Sequence, residues 1–181
     1  EILGRLTYSQ NFEDVKGAFL VVEAVPEKIE IKKDTFKKVD ELADAETIIV
    51  SNTSGLSISE IASVTNRQDK VMGAHFFYPA PVMKLLELVR GLVTSDETYD
   101  VVKEFAGKIG KTTVDAPEFP GFMVNRILVP MQNEAAFMVM EGSKPEDVDN
   151  AMKLGCNHPM GPIELTDFVG IDTMLATMTG L

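Results

Sequence analysis

Only one cysteine, Cys156, occurs in 181 residues. That excludes an internal disulfide framework and suits a reducing cytoplasm. Basic residues are also scarce: 17 Lys and Arg stand against 28 Asp and Glu, a formal net charge of -11. Such a balance excludes a general nucleic-acid-binding face or an anionic-membrane surface. An anionic ligand is therefore expected to be held by local donors, not by the overall field. No apolar run is long enough to span a bilayer, and nothing near Glu1 resembles a signal peptide. A glycine-rich G-x-G-x-x-G turn is missing too, since Gly4 and Gly17 stand alone. Internal repeats and low-complexity tracts are absent. Of the two histidines, His158 lies between Asn157 and Pro159 in a helix connection and reads as structural. The ten methionines read as core and interface filler, Cys156 has no base near it in sequence, and no metal site is expected.

What is present is ordinary for a globular protein, with 45% hydrophobic and 25% charged residues. Ala18 to Val25 is a near-continuous apolar run stopped by Pro26, which predicts a strand buried on both faces. Glu27 to Leu42 places Ile29, Phe36, Val39 and Leu42 at helical spacings. Thr47 to Val50 is a second buried strand ending in the polar turn Ser51-Asn52-Thr53-Ser54-Gly55. A short amphipathic piece around Ile58 and Ile61 leads to a third strand, Val71 to Phe77. This alternation is the βαβ pattern of a parallel sheet with helices on its faces. Leu85 to Val89 reads as a further strand, with a helix turn as the alternative. Ser95 or Asp96 starts a helix that runs through Ile109 and stops at Gly110, and Thr112 to Val114 makes one more strand. At Pro117-Glu118-Phe119-Pro120-Gly121 the alternation breaks and the chain becomes helical. Helices are predicted over Phe122 to Met140, with Pro130 removing one donor, from Ser143 or Lys144 to Leu154, and from Pro162 to Phe168. The expected domains are 1–117 and 118–181. Glu1 begins in the manner of a helix interior and Leu181 has no obvious finish, so both ends are expected to be interior to a longer chain.

The chemistry gathers at the stretch from Gly73 to Glu87, where an apolar strand gives out at His75 ahead of Pro79 and Pro81 and Glu87 follows within the same segment. A carboxylate on one ring nitrogen fixes the tautomer and leaves the other nitrogen to act as a base near neutral pH. In open α/β sheets ligands sit outside the carboxyl ends of the strands. Three such ends carry polar groups: Glu27 follows the first strand, Ser51 to Ser54 the second, and His75 caps the third. Asn125, near the start of the first helix after the linker, is placed to close the cleft from the second domain. Taken singly, each has a plain structural role, with Ser54 an N-cap, Asn125 a helix-start residue and Glu27 a first-turn acid. Together a base, a carboxylate, a hydroxyl and an amide suit proton and hydride chemistry at a carbinol carbon.

These residues resemble a known family. Ser51-Asn52-Thr53-Ser54, His75-Phe76-Phe77, Pro81-Val82-Met83-Lys84-Leu85-Leu86-Glu87, Pro120-Gly121-Phe122-Met123-Val124-Asn125-Arg126, Ala151-Met152-Lys153-Leu154-Gly155 and Pro159-Met160-Gly161-Pro162 are similar, in order and spacing, to motifs of the 3-hydroxyacyl-CoA dehydrogenase family. The likeness is nearest to its bacterial, butyrate-forming branch acting on 3-hydroxybutyryl-CoA. It implies the C-terminal part of a Rossmann-type nucleotide-binding domain followed by a truncated all-helical domain that forms a homodimer. It also implies NAD or NADP as cofactor, an acyl-CoA substrate and a cytoplasmic setting. By position, His75 matches the catalytic base and Glu87 the carboxylate that orients it. Ser54 and Asn125 match residues that hydrogen-bond the substrate oxygen. Ala24, Glu27, Lys32, Ser54 and Tyr78 fall at positions near the cofactor.

The chain departs from the family pattern in three places. The glycine-rich turn and the residue that selects NAD or NADP are expected upstream of Glu1. Tyr78 stands where asparagine is usual, and Gly55 where serine is common. Two other readings stand beside this one: a related hydroxyacid dehydrogenase that does not use CoA, and a non-catalytic dimerisation or binding relative.

Overall fold

The apolar runs pair into one five-stranded sheet in the computed structural model, which describes residues 3–180. β1 (Leu20–Glu23), β2 (Ile48–Ser51), β3 (Val71–Phe76), β4 (Leu85–Arg90) and β5 (Thr112–Ala116) stand side by side in that order. β1, β2 and β3 are parallel; β4 runs antiparallel to β3, and β5 parallel to β4. The connections carry α1 (Ile29–Leu42), α2 (Ile58–Ala62) and α3 (Asp96–Lys108). The link between β3 and β4 spans only 77–84, too short for the crossover that a parallel pair needs, so the chain reverses there. The α/β class expected from the alternation of elements is the one adopted.

Alternation along the strands divides the sheet into two faces. Ile48, Val50, Met72, Ala74, Leu86 and Leu88 form one core layer with Tyr99, Val102 and Ala106 of α3. The opposite face carries one row across four strands, in which Glu23 pairs with Ser51, Ser51 with Gly73 and Gly73 with Val89. His75 and Glu87 make the next pair along that face. Ile58 of α2 packs so closely on the row that a Cβ at Gly73 would lie 2.9 Å from its Cδ1 and 2.9 Å from Val89 Cβ.

Several sequence expectations need correction. β1 is shorter than Ala18 to Val25 and is not buried on both faces: Val22 is 44% exposed and Phe19 60%. Among the described residues it pairs only with β2, and hydropathy reports apolar character without reporting a strand's place in the sheet order. α1 starts at Ile29 with Lys28 as its N-cap, so Glu27 precedes the helix instead of sitting in its first turn. Ser54 is not a helix cap; Ser57 caps α2, accepting from Glu60 N at 3.1 Å. β5 runs two residues past Val114. Glu1 and Leu181, about which the sequence also raised expectations, lie outside the described residues.

The chain divides into two compact units, the sheet unit ending at Glu118 and a helical unit beginning at Phe119. Gly121 and Phe122 have φ of 72° and 50°. That backbone is incompatible with a right-handed helix, so α4 (Val124–Met140) begins later than Phe122 and then runs through Pro130 as one element. α5 (Pro145–Gly155) starts at its proline behind Lys144 and runs one residue past Leu154. α6 (Pro162–Val169) follows a glycine N-cap that offers no side chain. Asp149 of α5 supplies the acceptor instead, taking Ile163 N at 2.8 Å and Glu164 N at 3.1 Å. α7 (Ile171–Thr179) had no counterpart among the predicted helices; Gly170, at φ 99°, separates it from α6.

Candidate active site

The antiparallel turn-back of β4 on β3 sets His75 directly opposite Glu87. His75 Nδ1 lies 2.7 Å from Glu87 Oε2, and the two side chains are 6% and 0% exposed. A carboxylate buried this completely is stable when it is hydrogen-bonded, and here the imidazole supplies the proton. With Nδ1 donating to Glu87, Nε2 is the nitrogen that carries the lone pair. The Phe77 ring lies against the imidazole, centroids 4.5 Å apart and tilted by 50°, and restricts its rotation. Phe76 N donates to Asn52 Oδ1 at 2.8 Å, tying the end of β3 to the turn after β2.

That turn is held from its other side by a second polar cluster. Glu23, the last residue of β1, accepts from Val25 N at 2.6 Å and Lys32 Nζ at 2.8 Å with Oε1. Its Oε2 accepts from Ser51 Oγ at 2.6 Å. Lys32 Nζ also donates to Val25 O at 3.2 Å and reaches Glu27 Oε2 at 3.2 Å. Glu27 Oε1 in turn accepts from Thr53 Oγ1 at 2.5 Å and Ser54 N at 2.8 Å. Lys32 is 1% exposed, whereas Glu27 keeps 44% of its side chain accessible. The ammonium thus has as many partners as protons, and it links the buried Glu23 carboxylate to the part-exposed Glu27.

The sheet unit therefore brings Glu27, Lys32 and Ser54 together, and through Asn52 joins them to the His75 strand. Ala24 is exposed immediately beyond β1. Tyr78, 84% exposed, follows Phe77 on the connection to β4. Asn125 is the second residue of α4, in the helical unit. Sequence reasoning passed over Glu23, and named Ser51, Asn52 and Thr53 only as part of the polar turn, without a role of their own. Their signal was a carboxylate closing an otherwise apolar run, and a turn in which four consecutive residues are polar. No group of three or more His, Cys, Asp or Glu able to hold a metal ion occurs among the described residues.

Residues 1–119 match the family described as 3-hydroxyacyl-CoA dehydrogenase, NAD binding domain, and residues 121–181 match its C-terminal domain. The chain belongs to the 3-hydroxyacyl-CoA dehydrogenase family. It is 52% identical to the 3-hydroxybutyryl-CoA dehydrogenase of Clostridioides difficile, over 100% of this chain and 65% of that protein. It is 51% identical to the probable 3-hydroxybutyryl-CoA dehydrogenase of Bacillus subtilis, over 98% of this chain and 62% of that protein. Among solved structures, (S)-3-hydroxybutyryl-CoA dehydrogenase from Ralstonia eutropha superposes with a TM-score of 0.93 at 47% identity, covering 98% of this chain and 63% of that one. The chain thus spans less than two thirds of the length of these relatives. Glu23, Glu27, Lys32, Ser54, His75 and Glu87 all fall within the family's NAD-binding match, and Asn125 within its C-terminal match.

Proposed function

We propose that this polypeptide is an NAD(P)-dependent 3-hydroxyacyl-CoA dehydrogenase that interconverts (S)-3-hydroxybutyryl-CoA and its 3-oxo form. The observation that carries the reading is the buried His75–Glu87 pair at 2.7 Å, at the strand edge where α/β sheets bind ligands, in a chain about half identical to 3-hydroxybutyryl-CoA dehydrogenases.

In the oxidising direction His75 Nε2 takes the proton of the substrate hydroxyl. Glu87, holding Nδ1–H, fixes the tautomer and stabilises the imidazolium that forms. In the reducing direction the same nitrogen returns the proton to the forming hydroxyl. Ser54 and Asn125 hydrogen-bond the substrate oxygen and stabilise charge developing there, as fixed donors do without reorganising. Ala24, Glu27, Ser54 and Tyr78 would hold the cofactor, with Lys32 supporting Glu27 from the buried side. The residues present fit that task, because the accessible part of the Glu27 carboxylate offers an acceptor suited to a ribose hydroxyl. When bound, the nicotinamide supplies the hydride acceptor or donor at C3 of the substrate.

The helical unit supports a homodimer. Ile127, Met140, Leu154, Phe168 and Ile171 are 64–86% exposed, apolar side chains that a second copy of the helical unit would cover. A cytoplasmic setting fits the lone cysteine and the bacterial relatives.

The test is oxidation of NADH by the full-length polypeptide with acetoacetyl-CoA. Turnover with the CoA ester and none with free acetoacetate supports the reading. Turnover with free hydroxyacids alone points to a relative that does not use CoA, and no turnover by folded protein points to a non-catalytic one.

A further inference from the structure

The hydrogen bonds around Glu23 close into a ring, and none of the roles proposed above includes Glu23 itself. Starting from its carboxylate, the ring runs through Lys32 Nζ at 2.8 Å to Glu27 Oε2 at 3.2 Å, then from Glu27 Oε1 to Thr53 Oγ1 at 2.5 Å. Thr53 N donates to Ser51 Oγ at 3.2 Å, and Ser51 Oγ donates back to Glu23 Oε2 at 2.6 Å. Glu23 is 4% exposed and Ser51 and Thr53 are fully buried, so water does not compete for these partners. Backbone donors hang on the outside of the ring: Val25 N on Glu23 Oε1 at 2.6 Å, Leu56 N on Thr53 Oγ1 at 3.0 Å and Ser54 N on Glu27 Oε1 at 2.8 Å.

We infer that Glu23 is a positioning residue for the Ser54 turn: a single carboxylate at the end of β1 fixes the conformation of Thr53 and Ser54 by two independent arms. One arm is ionic and passes through Lys32 to Glu27. The other is neutral and passes through Ser51 to Thr53. The two arms differ in what they hold. Lys32 is flanked by two carboxylates, and without Glu23 it keeps Glu27 and Val25 O and is drawn toward Glu27. Glu27 then shares its carboxylate differently with Thr53 and Ser54. Ser51, deprived of its acceptor, is free to rotate away from Thr53 N. Both changes act on the same turn, whose register with the cofactor they set. The proposal rests on the dehydrogenase reading, since it is that reading which makes Ser54 a contact of cofactor and substrate.

The test uses full-length Glu23→Ala, Glu23→Gln and Ser51→Ala proteins, with steady-state kinetics and amide exchange at Thr53 and Ser54. Glu23→Ala is expected to raise the KM for NADH about tenfold and speed Ser54 amide exchange by a similar factor, because displacement of a positioning element falls first on the ligand it orients. kcat is expected to fall as well, by about threefold or more, because Ser54 also bears on the substrate oxygen where charge develops. Glu23→Gln should restore most of the loss, since its oxygen can accept from Lys32 and Val25 N while its NH2 donates to Ser51 Oγ. Ser51→Ala cuts only the neutral arm and should give a smaller change in the same direction, which keeps the test open if Glu23→Ala does not fold. A folded Glu23→Ala protein with unchanged Ser54 exchange and unchanged KM for NADH overturns the proposal. So does a uniform loss of kcat with melting temperature that Gln does not rescue, because that is the signature of a merely structural residue. Absence of NADH turnover in the parent protein would count against the dehydrogenase reading, while Ser54 exchange would still decide whether Glu23 holds the turn.

Discussion

His75 and Glu87 are cross-strand neighbours on β3 and β4, and their Nδ1–Oε2 separation of 2.7 Å follows from that register. The pair depends on the reversal of the chain at Tyr78 to Lys84. Had β4 entered by a crossover, as β2 and β3 do, residue 87 would have no reason to face residue 75.

Glu87→Gln keeps the side-chain shape and removes the charge. Its amide can meet Nδ1 in the wrong sense, favouring the tautomer with Nε2 protonated and so blocked as a base. A loss of kcat of roughly 10²- to 10⁴-fold is expected in acetoacetyl-CoA reduction, with the KM for NADH little changed. A kcat within threefold of the parent's would show that Glu87 does not orient the base.

Gly73 lies one row below the dyad on the same face, and its lack of a Cβ is what lets Ile58 and Val89 meet over it. Gly73→Ala should cost about 1–3 kcal/mol of stability by overpacking. Ile58→Val in the same protein removes the Cδ1 atom 2.9 Å from the new methyl and should recover part of that loss, whereas Val89 Cβ cannot move aside. Chemical denaturation of the single and double variants measures both. Equal stability of Gly73→Ala and the parent would contradict the packing.

Asp40 ties the end of α1 to the loop before β3. It accepts from Asn66 N at 2.9 Å and Nδ2 at 3.0 Å, and from Arg67 Nε at 2.7 Å. Burial pushes its carboxyl upward, but the Asn66 and Arg67 donors outweigh burial and hold it below its ordinary value. A lowered folded-state pKa means the bonds contribute fully above about pH 4 and are lost as acid protonates the folded carboxylate. Asp40→Asn should therefore be less stable than the parent at pH 7, and the gap should narrow toward pH 3. Urea unfolding at the two pH values reads this, and a gap that stays constant would contradict it.

Much of the sheet was legible in the sequence because buried parallel strands are short apolar runs, and Ile48 to Val50 and Val71 to Phe76 have no other good use. His75 stood out because such a run ended on a titratable side chain before two prolines. The exposure of β1 was not legible, since Val21 and Val22 look the same whether a neighbouring strand covers them or not. Nor was the start of α4, because the positive φ of Phe122 is set by the turn at Gly121 and not by any preference of phenylalanine. Glu23 was hidden for a different reason: its cation lies nine residues on, in a helix whose spacing alone does not set Lys32 apart from its other lysines, although the family resemblance had placed it near the cofactor. Only the fold shows that this lysine turns inward.

The most direct measurement is turnover of His75→Gln beside the parent in full-length protein, with acetoacetyl-CoA and NADH, together with melting temperature and NADH binding. If His75 is the base, kcat falls by roughly 10²-fold or more while melting and NADH affinity hold, as expected for loss of a group that acts on the reacting proton. If His75→Gln turns over at the parent's rate, the proton is handled elsewhere, and the central role given to the His75–Glu87 pair is wrong.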